Sequence, residues 1–383
     1  MATIDEDEIR IAEDFRKQLQ ERLPAYEGDR LKDQAVNEMR GNPQLEEFMS
    51  TLGLSDRANL LSNLFDEIET STLPNPRDDG FTHKIMQHHC EEVESACRRA
   101  EVPLRGGVSY GVSPTFDLNA ERHAVPTTET SVVQVTAGFI LFCSHLSKAL
   151  ALSVPHKLVG ALMSLDSSPG EVMKRVGSDA NLKRLWFELF GSYAYGGGPL
   201  DMEWQIVPHP YSLTRSMLLP AFELFAIAHE YGHHVVKHGA VDSLEVGGEP
   251  EASNQEFEAD MFALGLCRYI ERDKKQPNVF LVSGVAPVVL LKCLDLVRRT
   301  KGIFAGREFS AKGSNTHPET EERILAFDYY IDGISPDLAD NFRQIRQNYC
   351  AIIEAIWNKF RPMYARMHDD GLRLHDDQST WLP

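Results

Sequence analysis

The stretch FAIAHEYGHHVVKHG, residues 225–239, packs four histidines and a glutamate into fifteen positions. Pro220 ahead of it suits the first turn of a helix, and Gly239 suits the position after a helix end. The sequence therefore predicts one helix between these two residues. With about 100° between successive residues, one stripe of this helix is apolar except for two histidines. The stripe consists of Phe222, Ala226, His229, His233 and Val236.

The two histidines on this stripe have the spacing of metal ligands. His229 and His233 are four residues apart, so both imidazoles lie on one helix face and can reach a single ion. Glu230 is displaced by about one step of the helix, where a carboxylate can take a proton without binding the metal itself. This is the HExxH pattern. The alternative is that both histidines are buried and hydrogen-bond to the backbone.

The other residues of the stretch lead to two further predictions. His234 and His238 point to the opposite side of the helix, and we predict that both face solvent. Gly232 is unfavourable in a helix interior by roughly 1 kcal/mol relative to alanine. A close neighbour, or a substrate passing over that turn, would explain the glycine.

A catalytic zinc needs a third protein ligand and one open position. Val236 and Gly239 stand where the extended pattern HExxHxxGxxH requires glycine and histidine, so the third ligand must come from elsewhere. The segment ASNQEFEADMFALGLCRYI, 252–270, predicts a helix whose apolar stripe continues backwards to Asp260 and Glu256. Buried carboxylates need a cationic partner. Glu256 as ligand and Asp260 as acceptor of a histidine N–H would satisfy both.

A simpler interpretation of Glu256 is also open. Ser253 and Glu256 have the spacing of a capping box, in which the glutamate only closes the start of the helix. Glu258 falls on another face, and we predict that it is solvated.

HEYGH followed by QEFEAD resembles the gluzincin metallopeptidases, in particular the HtpX and CAAX-prenyl-endopeptidase group. That group pairs HExxH with an ExxxD helix. The segment NAERHAVPTTETSVVQVTAGFI, 119–140, is similar to the strand and turn that precede HExxH in the group. The resemblance implies that His229, His233 and Glu256 bind one zinc ion. It also implies that Glu230 is the general base and that Asp260 orients a histidine ligand.

The segment SNTHPETEERILAF, 314–327, resembles the His-Pro-x-x-x-x-Arg element of the same group. The resemblance implies that His317 approaches the oxyanion of the reaction, with Arg323 nearby to position it or to pair with an acid. The residues themselves allow a simpler reading. Thr316 and Glu319 have capping-box spacing, so His317 could be an exposed residue ahead of a helix.

The rest of the chain predicts a mainly α protein with a small antiparallel β-sheet, an α+β fold with a gluzincin-like core. Amphipathic patterns predict helices over 4–23, 44–72 and 82–101, and SVVQVT, 131–136, reads as a strand. We predict an acidic helical region over 1–100, serving as a pro-segment, lid or docking region. A metalloprotease domain follows over 101–383, with an insertion at about 150–218.

Composition limits the possible partners and the compartment. Lysine and arginine number 39 against 57 aspartates and glutamates, a formal net charge of −18. Such a chain has no general attraction for nucleic acid or anionic lipid. The acidic start MATIDEDEIRIAEDF lacks the layout of a secretory signal, and the longest apolar run is too short to span a bilayer. The six cysteines form no CxxC pair. We predict a cytoplasmic protein with reduced thiols and no membrane insertion.

These patterns together predict a zinc-dependent endopeptidase that acts on a protein or peptide substrate, which the 131–136 strand would align by edge pairing. Three alternatives remain: a soluble protease of the phage-exclusion Lit type that cuts one host protein, a zinc-containing regulator without catalysis, and a helical interaction protein. A second histidine-rich segment, HKIMQHHC, 83–90, is predicted to be a solvated helix, because His83 and His89 do not share a face. Adventitious metal binding is the alternative for this segment.

Overall fold

The computed structural model describes residues 6–22, 78, 80–113, 115–159, 162–196, 198, 207–236, 252–306 and 318–374. This part of the chain is mainly helical, as predicted. The helices are α1 Glu6–Glu21, α2 Gly80–Arg99, α3 Ala137–Ser153, α4 Pro169–Ser178, α5 Ala180–Gly196, α6 Tyr211–Val235, α7 Ala252–Arg272, α8 Val279–Val282, α9 Val285–Phe304, α10 Thr320–Ile334 and α11 Ala339–Asp369. The helices predicted over 4–23 and 82–101 are confirmed as α1 and α2, whereas 44–72 lies outside the described residues.

The strands form a mixed sheet, so the prediction of an antiparallel sheet is wrong in part. They are β1 Val108–Ser113, β2 Ala120–Ala124, β3 Ser131–Thr136, β4 His156–Val159 and β5 Leu162–Leu165. In the order β1-β3-β2, β3 pairs antiparallel with β2 and parallel with β1. A short turn joins β2 to β3, while β1 pairs with the opposite edge of β3. Strands β4 and β5 form a separate antiparallel pair.

Strand β3 is the central strand of the larger sheet, and all six of its residues are buried. Its side chains alternate between two environments, as the period of a strand requires. Val132 packs with Ala12 of α1, whereas Val133 and Val135 belong to the main core. The predicted strand is confirmed, and it lies between helix α1 and the helical core.

Helix α1 is anchored to the sheet by a buried polar network. Arg16 Nη1 donates to both carboxylate oxygens of Asp78 at 2.8 and 2.9 Å. Gln20 Nε2 donates to the Val112 carbonyl oxygen of β1 at 2.7 Å. Removing one partner of such a buried pair is strongly destabilising, because the other charge stays behind unpaired. The proposed division at residue 100 stays a prediction, since helix α2 also packs against α6 and α7.

Helix α6, which carries HEYGH, begins nine residues earlier than predicted. It runs from Tyr211 to Val235, with Pro220 in its interior, and Gly239 lies outside the described residues. A proline inside a helix removes one backbone hydrogen bond. Leu218 and Phe222 on either side of it are fully buried, so packing in the core holds the helix together through Pro220.

The remaining helices surround α6. Helices α3, α7 and α9 pack directly against it, and α11 closes the far side of α9. In the part of the chain that the structure describes, no helix is long and apolar enough to cross a membrane.

Candidate metal centre

Helices α6 and α7 bring the three predicted metal ligands together. His229 Nε2 and His233 Nε2 are 3.1 Å apart. Glu256 Oε2 lies 3.4 Å from His229 Nε2, and Glu256 Oε1 lies 3.3 Å from His233 Nε2. All three side chains point to one spot between the helices. Glu256 is therefore turned towards the histidines, not only towards the start of its own helix; the side chain of Ser253 lies outside the described residues.

These side chains are close enough to hold one metal ion. One ligand atom from each of the three residues lies within 4.8 Å of the other two. Each carboxylate oxygen of Glu256 faces one histidine, Oε2 at 3.4 Å from His229 Nε2 and Oε1 at 3.3 Å from His233 Nε2. Two imidazoles and one carboxylate are also the ligand set of several catalytic zinc sites, in which the fourth position is open. The residues present therefore fit zinc.

A buried ion pair lies behind the ligands. Asp260 Oδ1 is 3.0 Å from His229 Nδ1. Arg323 of α10 donates to both oxygens of Asp260, with Nε–Oδ2 and Nη2–Oδ1 distances of 2.6 Å each. An acceptor at Nδ1 favours the tautomer that leaves Nε2 unprotonated and able to ligate. Arg323 thus pairs with an acid, one of the two roles that the resemblance implied for it.

The electrostatic environment of His229 favours positive charge. Burial alone would lower the pKa of His229, but the Asp260 and Glu256 carboxylates outweigh it and hold this pKa at about 10. Asp260 is buried too, yet Arg323 and His229 keep the pKa of its carboxyl below the usual value. Negative charge concentrated at this spot attracts a proton or a metal cation in the same way.

Close packing of the two helices explains Gly232. A Cβ built on this residue would lie 2.9 Å from Ala259 Cα and 3.2 Å from Ala259 Cβ. Such distances are shorter than ordinary carbon contacts, so a side chain at 232 would push α7 away. Of the two explanations that the sequence allowed, the close neighbour is therefore present. The glycine lets Glu256 reach the histidines.

Glu230 is buried beside the ligands and faces strand β2. Burial raises the pKa of the Glu230 carboxyl to about 8, and the Glu256 and Glu121 carboxylates act in the same direction. His229 and Arg122 oppose this rise in pKa. Glu121 and Arg122 belong to β2, which packs on α6, and no role was predicted for them from the sequence. Their position in the NAERHA segment, already compared with the gluzincin strand, was the available signal.

His234 is buried, so the prediction that it faces solvent is wrong. Its Nδ1 lies 2.8 Å from Ser131 Oγ, and Arg122 Nε donates to the same oxygen at 2.7 Å. Burial and the Arg122 guanidinium lower the pKa of His234 to about 4. The prediction that His234 points away from His229 and His233 was correct, but the sheet covers that side of α6. His238 lies outside the described residues.

The His-Pro-x-x-x-x-Arg element is described only from its proline onwards. His317 and Thr316 lie outside the described residues, so the oxyanion role of His317 stays a prediction. Helix α10 begins with Glu319 as N-cap, in a capping box with Glu322. This differs from the predicted box of Thr316 and Glu319. On α7, Glu258 is exposed as predicted.

The histidines of α2 are only partly exposed, so the prediction of a solvated helix is wrong for two of them. His83 and His89 are buried, and only His88 is exposed. His89 Nε2 lies 3.1 Å from Glu223 Oε2 of α6. Two faces of α2 are covered at once, one by the β1 region and one by α6 and α7.

Comparison with known proteins gives no match among family models, curated proteins or solved structures. The resemblance to gluzincins therefore stays a prediction that rests on the motifs and on the geometry described above.

Proposed function

We propose that this protein is a zinc-dependent endopeptidase that hydrolyses peptide bonds in a protein or peptide substrate. One observation carries the proposal: His229, His233 and Glu256 converge within reach of a single metal ion, with the buried carboxylate of Glu230 next to them. A predicted cytoplasmic location and a single catalytic zinc, held between α6 and α7, are part of the same proposal.

Each side chain has a definite task in this mechanism. Zinc, when bound by two histidines and a glutamate, polarises a carbonyl and lowers the pKa of water to about 7. Glu230 accepts a proton from the attacking water and passes it to the nitrogen of the leaving amine. Its burial beside the ligands places it to take this proton without a competing water shell.

Asp260 and Arg323 act through His229. Asp260 Oδ1 lies 3.0 Å from His229 Nδ1, and an Nδ1–H directed at this carboxylate fixes the ring orientation and leaves Nε2 as the ligand atom. Arg323 holds both oxygens of Asp260 in place. His317 is proposed to donate a hydrogen bond to the oxyanion, as the resemblance implies.

The substrate-aligning strand in this proposal is β2 and not β3. Strand β3 pairs with β1 on one side and β2 on the other, so it has no edge to offer. Strand β2 has one edge without a strand partner among the described residues, and it packs against α6 beside Glu230. An extended peptide added to that edge would run past the site helix.

The test compares wild type with Glu230→Gln in metal content and in proteolysis. Each purified full-length chain is loaded with zinc and incubated with fluorescently labelled casein and with a cell lysate, in which new N-termini are counted. We expect the variant to keep its zinc and to lose cleavage by at least about 100-fold. Glu258→Gln, the same change at an exposed position of α7, is the matched control and should cleave like wild type.

Each alternative gives a different result. Cleavage of one lysate protein and not of casein would identify a narrow protease of the Lit type. Zinc bound without any cleavage would favour a zinc-containing regulator and count against the proposal. Equal cleavage by Glu230→Gln and wild type would refute the role of Glu230. A chain that binds no zinc would be a helical interaction protein.

A further inference from the structure

Helix α2 carries a second cluster of metal-ligating side chains, outside the centre on α6 and α7. One donor atom from each of His88, His89 and Glu92 lies within 4.8 Å of the other two. His88 and Glu92 are four residues apart on the same helix face, and His89 is next to His88. The His88 and His89 ring centroids are 5.4 Å apart.

The His89 ring is oriented by a carboxylate, as metal-binding histidines usually are. Its Nε2 lies 3.1 Å from Glu223 Oε2, and both side chains are at least nine-tenths buried. The Nε2–H donates to the Glu223 carboxylate, so Nδ1 carries the lone pair. Nδ1 is buried and has no hydrogen-bond partner in the part of the chain that the structure describes. A carboxylate on one ring nitrogen and a free lone pair on the other is the arrangement of carboxylate–histidine–metal sites.

We propose that His88, Nδ1 of His89 and Glu92 bind a divalent transition metal ion. Two imidazoles and a carboxylate suit zinc, nickel and copper, and not calcium or magnesium. His88 is exposed, so the ion can enter from solvent. Three protein ligands leave coordination positions for water, which makes this ion exchangeable. The proposal does not depend on the proposed peptidase function.

Lys274 forms an ion pair with the carboxylate of Glu92. Its Nζ lies 2.9 Å from Glu92 Oε1 and 2.8 Å from Glu271 Oε1. A metal ion at Glu92 repels the ammonium group, which keeps Glu271 as its partner. Metal binding therefore breaks the ion pair between α2 and the end of α7, the helix that carries Glu256.

The experiment counts and ranks metal sites in the full-length chain. Protein stripped with a chelator is titrated with zinc in competition with a chromophoric chelator. We expect two sites in wild type and one in His88→Gln or Glu92→Gln. Glu223→Gln should weaken the α2 site by about 10–100-fold, because it removes the carboxylate behind His89. Lys274→Met should strengthen it, because no cation competes for Glu92.

Glu91→Gln is the matched control. Glu91 is exposed on the same helix, and its carboxylate accepts from Gln87 Nε2 at 2.9 Å. This variant loses the same charge and should bind zinc like wild type. Thermal unfolding of each metal-free variant checks that the fold is kept. If the buried change Glu223→Gln prevents folding, His88→Gln and Glu92→Gln still test the site, because they change residues nearer the surface.

The result separates this site from the one on α6 and α7. A site that survives His233→Ala and disappears in His88→Gln supports the inference, whatever the outcome at the other centre. A wild type with a single site that is lost in His233→Ala and kept in His88→Gln would overturn it. If Glu91→Gln and Glu92→Gln weakened zinc binding equally, the loss of surface charge alone would explain the effect. That result would overturn the inference too.

Discussion

Helix α6 presents histidines to two regions of opposite charge. Towards α7, His229 meets the carboxylates of Asp260 and Glu256, which raise its pKa to about 10 against the effect of burial. Towards the sheet, burial and the Arg122 guanidinium lower the pKa of His234 to about 4. The two residues are five positions apart on one helix, and both are buried.

The contrast separates the histidine that we propose as a metal ligand from one that makes only protein contacts. Both imidazoles are buried, so burial does not distinguish them. What differs is the charge that the neighbouring element supplies: α7 concentrates negative charge, and β2 supplies a guanidinium. A positive ion is stabilised on the α7 side and opposed on the sheet side. Each prediction below changes one feature that makes these two regions unlike.

The largest effect is expected from Asp260→Asn, which removes negative charge from the α7 side. Arg323 would stay buried with its carboxylate partner removed, and His229 would lose the negative charge 3.0 Å from Nδ1. Breaking a buried ion pair by removing one partner costs about 3–5 kcal/mol of unfolding free energy. Zinc affinity should fall by about 10–100-fold as well. Urea denaturation and zinc titration measure the two effects.

Asp273→Asn is the control for this change. It makes the same substitution in an ion pair with Arg272 whose side chains are 62% and 63% exposed. An exposed pair contributes little, so its unfolding free energy should stay within about 0.5 kcal/mol of wild type. A similarly small effect of Asp260→Asn would mean that the region behind His229 is not the buried, charged support described here.

The second prediction concerns the sheet side and its dependence on pH. The pKa of His234 falls from 6.5 to about 4 on folding. Below pH 6.5 the His234 imidazole binds a proton in the unfolded chain, whereas in the folded chain it binds one only near pH 4. The stability that His234 contributes is therefore complete above pH 6.5 and is lost as the pH falls to about 4. The loss amounts to as much as about 3 kcal/mol.

His234→Asn isolates this contribution, since the amide can replace Nδ1 in the contact with Ser131. Unfolding free energies of wild type and variant, measured from pH 7 to pH 4.5, give the difference at each pH. Wild type should lose stability relative to the variant as the pH falls. A difference that is the same at every pH would contradict the electrostatic contrast between the two sides of α6.

The sequence predicted the α7 side better than the sheet side, for a physical reason. Spacing within one helix determines which residues share a face, and so His229 was paired with His233, and Glu256 with Asp260. The need for a third ligand and the resemblance to gluzincins then joined the two pairs. Which element packs against each helix face depends on the tertiary fold and not on local spacing. His234 was assigned to solvent because nothing local to HEYGH indicates that β3 covers that side.

The same limit explains the errors elsewhere. His89 was predicted to be solvated because its partner, Glu223, lies 134 residues along the chain. Strand β3 was recognised from its apolar residues, but its parallel pairing with β1 depends on how the segment between β1 and β2 crosses the sheet. Pro220 was taken as a helix start because local propensity favours that position, whereas the core packing of α6 overrides it.

The smallest effect is expected from Gly232→Ala, which tests whether the α7 side needs its close helix contact. The new Cβ would lie 2.9 Å from Ala259 Cα, so the helices must separate by a few tenths of an ångström. Overpacking of this kind costs about 1–3 kcal/mol, against a gain in helix propensity of less than 1 kcal/mol. Zinc affinity should fall too, because Glu256 moves away with α7.

Gly177→Ala in α4 is the matched control, since a Cβ there would meet nothing within 4 Å. Without a steric cost, only the propensity gain remains, and the variant should be more stable than wild type by about 0.5 kcal/mol. Opposite signs for the two glycine variants would show that Gly232 is required by the approach of α7. If Gly232→Ala instead stabilised the chain and kept its zinc affinity, the contact would be adjustable. The negative side of α6 would then depend on its charges alone and not on the distance between the two helices.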